Sequence, residues 1–194
     1  MKFLPGLSFL CFFSLACFAQ DNPLPYDERG KLIYYEVVEL KGLPGDSLMD
    51  RANDFFAKNA KRFKLKSAKG DSLLQADGKM IINKTALVLT RPSGEVKYSF
   101  FVESKADKYR FWLTDFVFIP YQRDRYGNFV AATTVGTPLE SKPGKLNAAE
   151  WKGYVSNTGK EAKLIAAQFK EAMLSKKSTE PATQPVKTIS TKKW

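Results

Sequence analysis

Residues 95–118 read EVKYSFFVESKADKYRFWLTDFVF. Val96, Tyr98, Phe100 and Val102 alternate with Lys97, Ser99, Phe101 and Glu103. That period of two belongs to a strand covered on one face and partly wet on the other. Lys105-Ala106-Asp107 turns the chain, and Lys108 to Phe118 runs on as a second strand. Two long, neighbouring strands joined by so short a turn pair antiparallel, and they set the frame for the rest.

Working towards the N-terminus, Pro92-Ser93-Gly94 reads as the turn before this pair. Lys79 to Thr90 is a further strand, and Asp77-Gly78, a strong hairpin dipeptide, separates it from Leu73–Ala76. Lys31 to Leu40 (KLIYYEVVEL) is β-branched and aromatic and forms the first strand, broken by Gly42, Pro44 and Gly45. Asp46 then caps a helix from Ser47 to about Phe63. Its apolar residues Leu48, Ala52, Phe55, Phe56, Ala60 and Phe63 fall on one face.

Towards the C-terminus, residues 120–146 are rich in Pro and Gly and read as loops. Asn147 with Glu150 makes a helix cap, and after a break near Ser156–Gly159 an amphipathic helix runs from Lys160 to Ser175. Ile165, Phe169, Ala172 and Met173 lie on its inward side. The expected fold is a two-layer α+β domain, an antiparallel sheet of about five strands packed on one long helix plus a C-terminal helix. Its element order is β-α-β-β-β-β-α.

The start of the chain has a different character. Met1-Lys2 is followed by an apolar run through Leu15, then Ala16-Cys17-Phe18-Ala19 before Gln20. A charged start, a short apolar stretch and a small-x-small exit make residues 1–19 a cleavable secretory signal, cut between Ala19 and Gln20. Lipid attachment at Cys17 is an alternative fate, weakened by Ser14 where a large aliphatic residue is usual. The expected organisation is a signal at 1–19, a polar lead-in at 20–30 and the α+β domain at 31–146. A helical extension at 147–177 and a disordered basic tail at 178–194 complete it.

Cleavage removes both cysteines, Cys11 and Cys17, so the remainder has no disulfide and no thiol nucleophile. The chain has no histidine. Ser-His-Asp and Cys-His arrangements are therefore excluded, with nearly every zinc site. No Gly-rich phosphate loop is present, and the one Ser-x-x-Lys beyond the leader, Ser190 to Lys193, sits in the tail. Carboxylates are the remaining catalytic route. Asp50 and Asp54 share the solvent side of the first helix, and Asp115 stands in an apolar strand with Arg110 or Arg123 as candidate partner. No enzyme activity and no cofactor are expected.

The chain carries 31 basic and 20 acidic side chains, and Lys2 is the leader's only charge. Outside the cell the polyanions are phospholipid head groups, lipopolysaccharide and acidic glycans, and export removes nucleic acid as a partner. Aromatic and basic residues concentrate between Lys108 and Tyr126. Arg110, Trp112, Tyr121, Arg123 and Arg125 are the candidate ligand-binding residues, because flat rings with guanidinium groups suit glycans, bases or acidic peptides. Trp112, Tyr121, Arg123 and Arg125 are expected to line a shallow surface at one end of the sheet. Core packing of Trp112 against the C-terminal helix is the competing expectation. Six basic residues lie in Lys58–Lys69 without an acid. Lys58, Lys61, Arg62 and Lys64 are read as cations at the negative end of the helix, or as a polyanion patch. Asn83-Lys84-Thr85 is a glycosylation sequon placed mid-strand. Asp46-Ser47-Leu48 and Asp71-Ser72-Leu73 resemble a short O-glycosylation acceptor.

Several of these features occur together in a known family. The signal peptide is followed by Tyr26-Asp27-Glu28-Arg29-Gly30-Lys31 and the Asp46-Ser47-Leu48 helix start. Gly78-Lys79 and Lys108-Tyr109-Arg110 come next in the same order. Over residues 26–120 the chain resembles exported Bacteroidota proteins described as a domain of unknown function with a TATA-binding-protein-like fold. The resemblance implies a fold and a compartment, periplasmic or secreted, and no activity. The element order also resembles cystatins, without their Gln-x-Val-x-Gly hairpin. The expected role is a non-enzymatic binding or accessory module for a glycan, a lipid head group or a partner protein. A structural subunit or a cystatin-like protease inhibitor is the alternative.

Overall fold

The computed structural model describes residues 24–69, 73–86, 89–141, 144 and 147–175. β1 (Tyr34–Glu39) leads to α1 (Gly45–Lys58), followed by β2 (Phe63–Lys69), β3 (Leu73–Ala86), β4 (Leu89–Lys105) and β5 (Lys108–Arg123). Two short strands, β6 (Phe129–Ala131) and β7 (Thr137–Pro138), precede α2 (Ala148–Leu174). The sheet order is β1-β5-β4-β3-β2, antiparallel throughout, with β6 and β7 pairing along β5. This is the expected two-layer α+β arrangement, reached by a different assignment of strands.

Both helices pack on one face of the sheet. α1 buries Leu48, Met49, Ala52, Phe55 and Phe56, and α2 buries Thr158, Ala162, Ile165, Ala166, Phe169 and Met173. These positions recur at helical spacing, so each helix presents one apolar stripe. The strands answer with Leu74, Ala76, Met80 and Ile82, then Val96, Tyr98, Phe100 and Val102, then Tyr109, Phe111, Leu113, Phe116 and Phe118. Phe169 is the hub. Its ring lies 5.1–5.2 Å from those of Phe55, Phe100 and Phe111.

The two expected turns at Asp77-Gly78 and Pro92-Ser93-Gly94 are not turns. Residues 77 and 78 lie inside β3, opposite Ser99 and Tyr98. A Cβ on residue 78 would stand 2.6 Å from the Tyr98 ring, so glycine is there to admit that ring. In β4 the register jumps from Ile82↔Gly94 to Asn83↔Pro92, which leaves Ser93 as the extra residue of a bulge. A bulge tolerates a proline that has no N–H to donate.

The helices also differ from expectation. α1 ends at Lys58, and Phe63 opens β2 instead of closing the helix. Lys64 therefore stands on a strand and has no helix end to stabilise. Pro44 occupies the cap position of α1 and Asp46 lies in its first turn, without a side-chain cap bond. Asn147 occupies the cap position of α2 without a side-chain cap bond, and the helix runs unbroken through Ser156–Gly159. Thr158 bonds back to the Tyr154 carbonyl (2.8 Å), and Gly159 faces Leu24, where a Cβ would sit 3.6 Å away. From Leu24 the lead-in is ordered too: Leu24 is buried, Tyr26 bridges Leu32, and the Asp27 carboxylate accepts from the Arg29 and Lys31 N–H groups. The expected signal at 1–19, with Cys17, Ala19 and the cut before Gln20, lies outside the described residues. So do Asp71, Ser72, Ser190, Lys193 and the tail.

Candidate binding face

With both helices on one side, the other face of the sheet is left open. Registers Tyr35↔Trp112 and Phe101↔Trp112 set three aromatic rings in one row across β1, β5 and β4. Phe101 and Trp112 stack, with centroids 5.1 Å apart and planes 12° from parallel. In the next row Val37, Arg110 and Glu103 are aligned. The Arg110 guanidinium ion-pairs with Glu103 and lies 5.5 Å from the Trp112 ring centre. The Glu103 bond and then the Tyr35 hydroxyl hold the Arg110 guanidinium above its ordinary value.

Tyr35 stands between two cavities. One of about 220 Å³ is lined by Val37, Glu103, Lys105, Lys108 and Arg110 beside Tyr35. The other, about 400 Å³, adds Asp27, Glu28, Arg29, Phe101 and Trp112. The lead-in hairpin builds the far wall. Arg29 is held by Asp27 at 2.8 Å, donates to Thr114 Oγ1 at 3.3 Å and lies 3.9 Å from Asp115. Desolvation works against the Asp27 charge, but the Lys31 N–H and the Arg29 groups outweigh it and lower its pKa.

Of the five expected ligand residues, Arg110 and Trp112 share this site. Tyr121 shares the face but lies about 30 Å farther along β5 at ~3.3 Å per residue. Its hydroxyl donates to Glu95 at 2.9 Å; burial and that bond push its pKa up to about 12. Arg123 stacks on Phe129 (5.0 Å) and Arg125 on Tyr126 (4.9 Å), both at the β5–β6 turn. The single surface expected from Trp112 to Arg125 is thus two separate places. Trp112 packs on Phe101, on the face away from α2, so core packing against that helix does not account for it.

Other expected residues find new partners. Asp115 faces Arg29, not Arg110 or Arg123. It is the extra residue of a bulge, with φ 55°, a conformation Asp tolerates better than most side chains. Asp50 lies exposed on α1, and Asp54 borders a cleft with Arg51, Lys58 and Arg62. Asn83 is in β3, and its carbonyl accepts from Asn157 at 3.3 Å. Gln75-Ala76-Asp77-Gly78 lies within β3 and offers no exposed hairpin of the cystatin type. Tyr35, Phe101, Asp27 and Arg29 were not singled out from sequence. A signal existed for Phe101, an aromatic in the polar phase of its strand.

Among the described residues no group of three or more His, Cys, Asp or Glu is placed to hold a metal ion. No helix among them is long and apolar enough to cross a membrane.

Residues 34–119 match the model of the family "Domain of unknown function (DUF4468) with TBP-like fold". The segment runs from β1 into β5 and agrees with the resemblance carried by residues 26–120. A TBP-like protein from Parabacteroides distasonis is similar in structure, with TM-score 0.57 and 16% identity. The likeness covers 77% of this chain and 96% of that one. A DUF4468 family protein from Bacteroides ovatus gives TM-score 0.58 at 14% identity, over 84% of this chain and 94% of that one. Both cover more than the chain up to Ile119 can supply, so the likeness reaches into the C-terminal part. At these identities what is shared is the fold. A comparison with curated proteins finds no match.

Proposed function

We propose that this chain is exported through residues 1–19 and acts in the periplasm or outside the cell as a non-enzymatic module that binds a glycan chain on the open sheet face. The observation that carries the reading is Tyr35, about half exposed, between two cavities whose walls hold both carboxylates and guanidiniums. A sugar presents apolar C–H faces and hydroxyls that both donate and accept, so it needs a ring beside groups of both kinds. Asp27, Glu103, Arg29 and Arg110 supply them, each already oriented by a partner. A lipid head group would be served by one sign of charge, which this end of the face does not have.

Titration of the protein, purified after secretory expression of the whole chain, with peptidoglycan oligosaccharides and soluble envelope polysaccharide tests the reading. Calorimetric titration reads the binding, since Trp151 and Trp194 also emit and Trp112→Ala carries no emitter at the site. Binding is expected for wild type and is expected to fall at least tenfold in Tyr35→Ala and Trp112→Ala with melting temperatures preserved. A role as an accessory subunit is the second reading, favoured by Val37, which is more than half exposed next to Tyr35. No response to any glycan, with capture of one envelope protein that Val37→Glu abolishes, would establish it instead.

A further inference from the structure

At the other edge of the same face, cations collect around an open groove of about 530 Å³. Lys61, Arg62, Lys64, Lys66, Lys79 and Lys97 line it, against two acids, Asp77 and Asp115. Lys66 is paired with Asp77 (2.7 Å) and Lys79 with Glu95 (3.2 Å), but Lys61, Lys64 and Lys97 meet no acidic group within 4.0 Å among the described residues. Lys79 and Lys97 are direct cross-strand partners. Like charges placed opposite each other weaken a sheet; Glu95 offsets Lys79, and Lys97 is left without an acid among the described residues. An anion between them would turn the cost into attraction.

The edge strand itself narrows the choice of occupant. β2 carries Lys64 and Lys66 and has a register break between Leu65 and Ser67. Both features blunt an edge against a further strand, so peptide addition is disfavoured. The half-exposed Ile81 stands on the same open face, two residues along β3 from Lys79. A soluble polyanion would leave it idle. A bilayer surface takes small apolar groups into its interface while lysines reach the phosphates.

We infer that the outer sheet face beside β2 is a docking surface for anionic, phosphate-bearing membrane lipid. It is independent of the glycan reading, since it uses none of Tyr35, Phe101, Arg110 or Trp112. On contact, Lys61, Lys64 and Lys97 neutralise head-group phosphates, and Ile81 enters the interface. Each lysine near an anionic surface contributes about a fivefold gain in binding, so three amount to about 100-fold.

Co-sedimentation of the secreted chain with vesicles tests this. Binding is expected to phosphatidylglycerol–phosphatidylcholine vesicles, absent from pure phosphatidylcholine, and weakened by salt. The variant Lys61→Gln/Lys64→Gln/Lys97→Gln should lose about 100-fold. Lys41→Gln/Lys152→Gln/Lys163→Gln, which removes three exposed lysines elsewhere, should bind like wild type. Ile81→Ser should weaken vesicle binding without changing binding to soluble inorganic polyphosphate. Equal loss in both lysine variants would overturn the proposal, because general basicity would then be enough. Binding to polyphosphate without binding to vesicles would overturn it as well.

Discussion

Tyr98 stands over Gly78 so closely that a Cβ on residue 78 would lie 2.6 Å from the ring carbon Cζ and from the hydroxyl oxygen. The two residues are cross-strand partners on the covered face, and Tyr98 is nearly fully buried. Gly78→Ala is therefore expected to destabilise by about 1–3 kcal/mol through overpacking. Gly94→Ala should cost more, because its Cβ would strike the Ile119 carbonyl oxygen, which belongs to the backbone and cannot rotate away. Urea denaturation midpoints of the two variants, measured side by side, check the order.

Lys170 on α2 reaches Glu36 on β1 at 2.6 Å, and the Tyr34 hydroxyl donates to the same carboxylate. Burial alone would raise the Glu36 pKa, but the Lys170 and Tyr34 bonds outweigh it and lower it from its ordinary 4.5. A carboxyl depressed in the folded state stabilises fully above its unfolded value and loses that stabilisation as pH falls through the folded value. Wild type should thus lose stability on acidification below about pH 4.5, and Glu36→Gln should lose less over the same range. Because both side chains are partly exposed, the contribution is on the order of 1 kcal/mol. Melting temperature against pH for the two proteins measures it.

Phe169→Ala should cost about 3–5 kcal/mol. Its ring touches Phe55 and Phe56 of α1, Phe100 of β4, and Tyr109 and Phe111 of β5. α2 lies beyond the family segment 34–119, yet it closes the core over that segment. Loss of a single cooperative transition in the thermal melt is the expected result. A neutral outcome would mean that α2 is dispensable.

Asp115 pays a conformational cost at φ 55° that glycine does not. Asp115→Gly should be neutral or slightly stabilising, whereas Asp115→Val should cost about 1–2 kcal/mol. The bulge at this position lets Leu113 and Phe116 both face the core. Its loss would turn Phe116 and Phe118 to the open face, which near-ultraviolet circular dichroism would report.

The alternation in residues 95–118 was enough to read β4 and β5, their joining turn, and a sheet with one covered face. The candidate site was half legible. Arg110 and Trp112 stood out as a basic–aromatic pair. Tyr35 did not, because nothing in KLIYYEVVEL says that β1 lies beside β5, with Tyr35 opposite Trp112. Asp27 and Arg29 looked like unstructured lead-in. Their order comes from Thr114, whose hydroxyl accepts from Arg29 and donates to the Leu32 carbonyl at 3.2 Å.

By itself the sequence determined the class of the fold, the period of each long element, and the absence of histidine and, past residue 17, of cysteine. These are properties of composition and of spacing along the chain, and no distant contact can alter them. Only the tertiary structure decided where the chain turns and what meets on the open face. Asp77-Gly78 and Pro92-Ser93-Gly94 have turn preferences worth about 1 kcal/mol locally. Continuous pairing of β3 with β4, and the buried Tyr98 that needs Gly78, outweigh them. That pairing leaves Lys97 opposite Lys79, and the pairing of β4 with β5 brings Phe101 and Trp112 together.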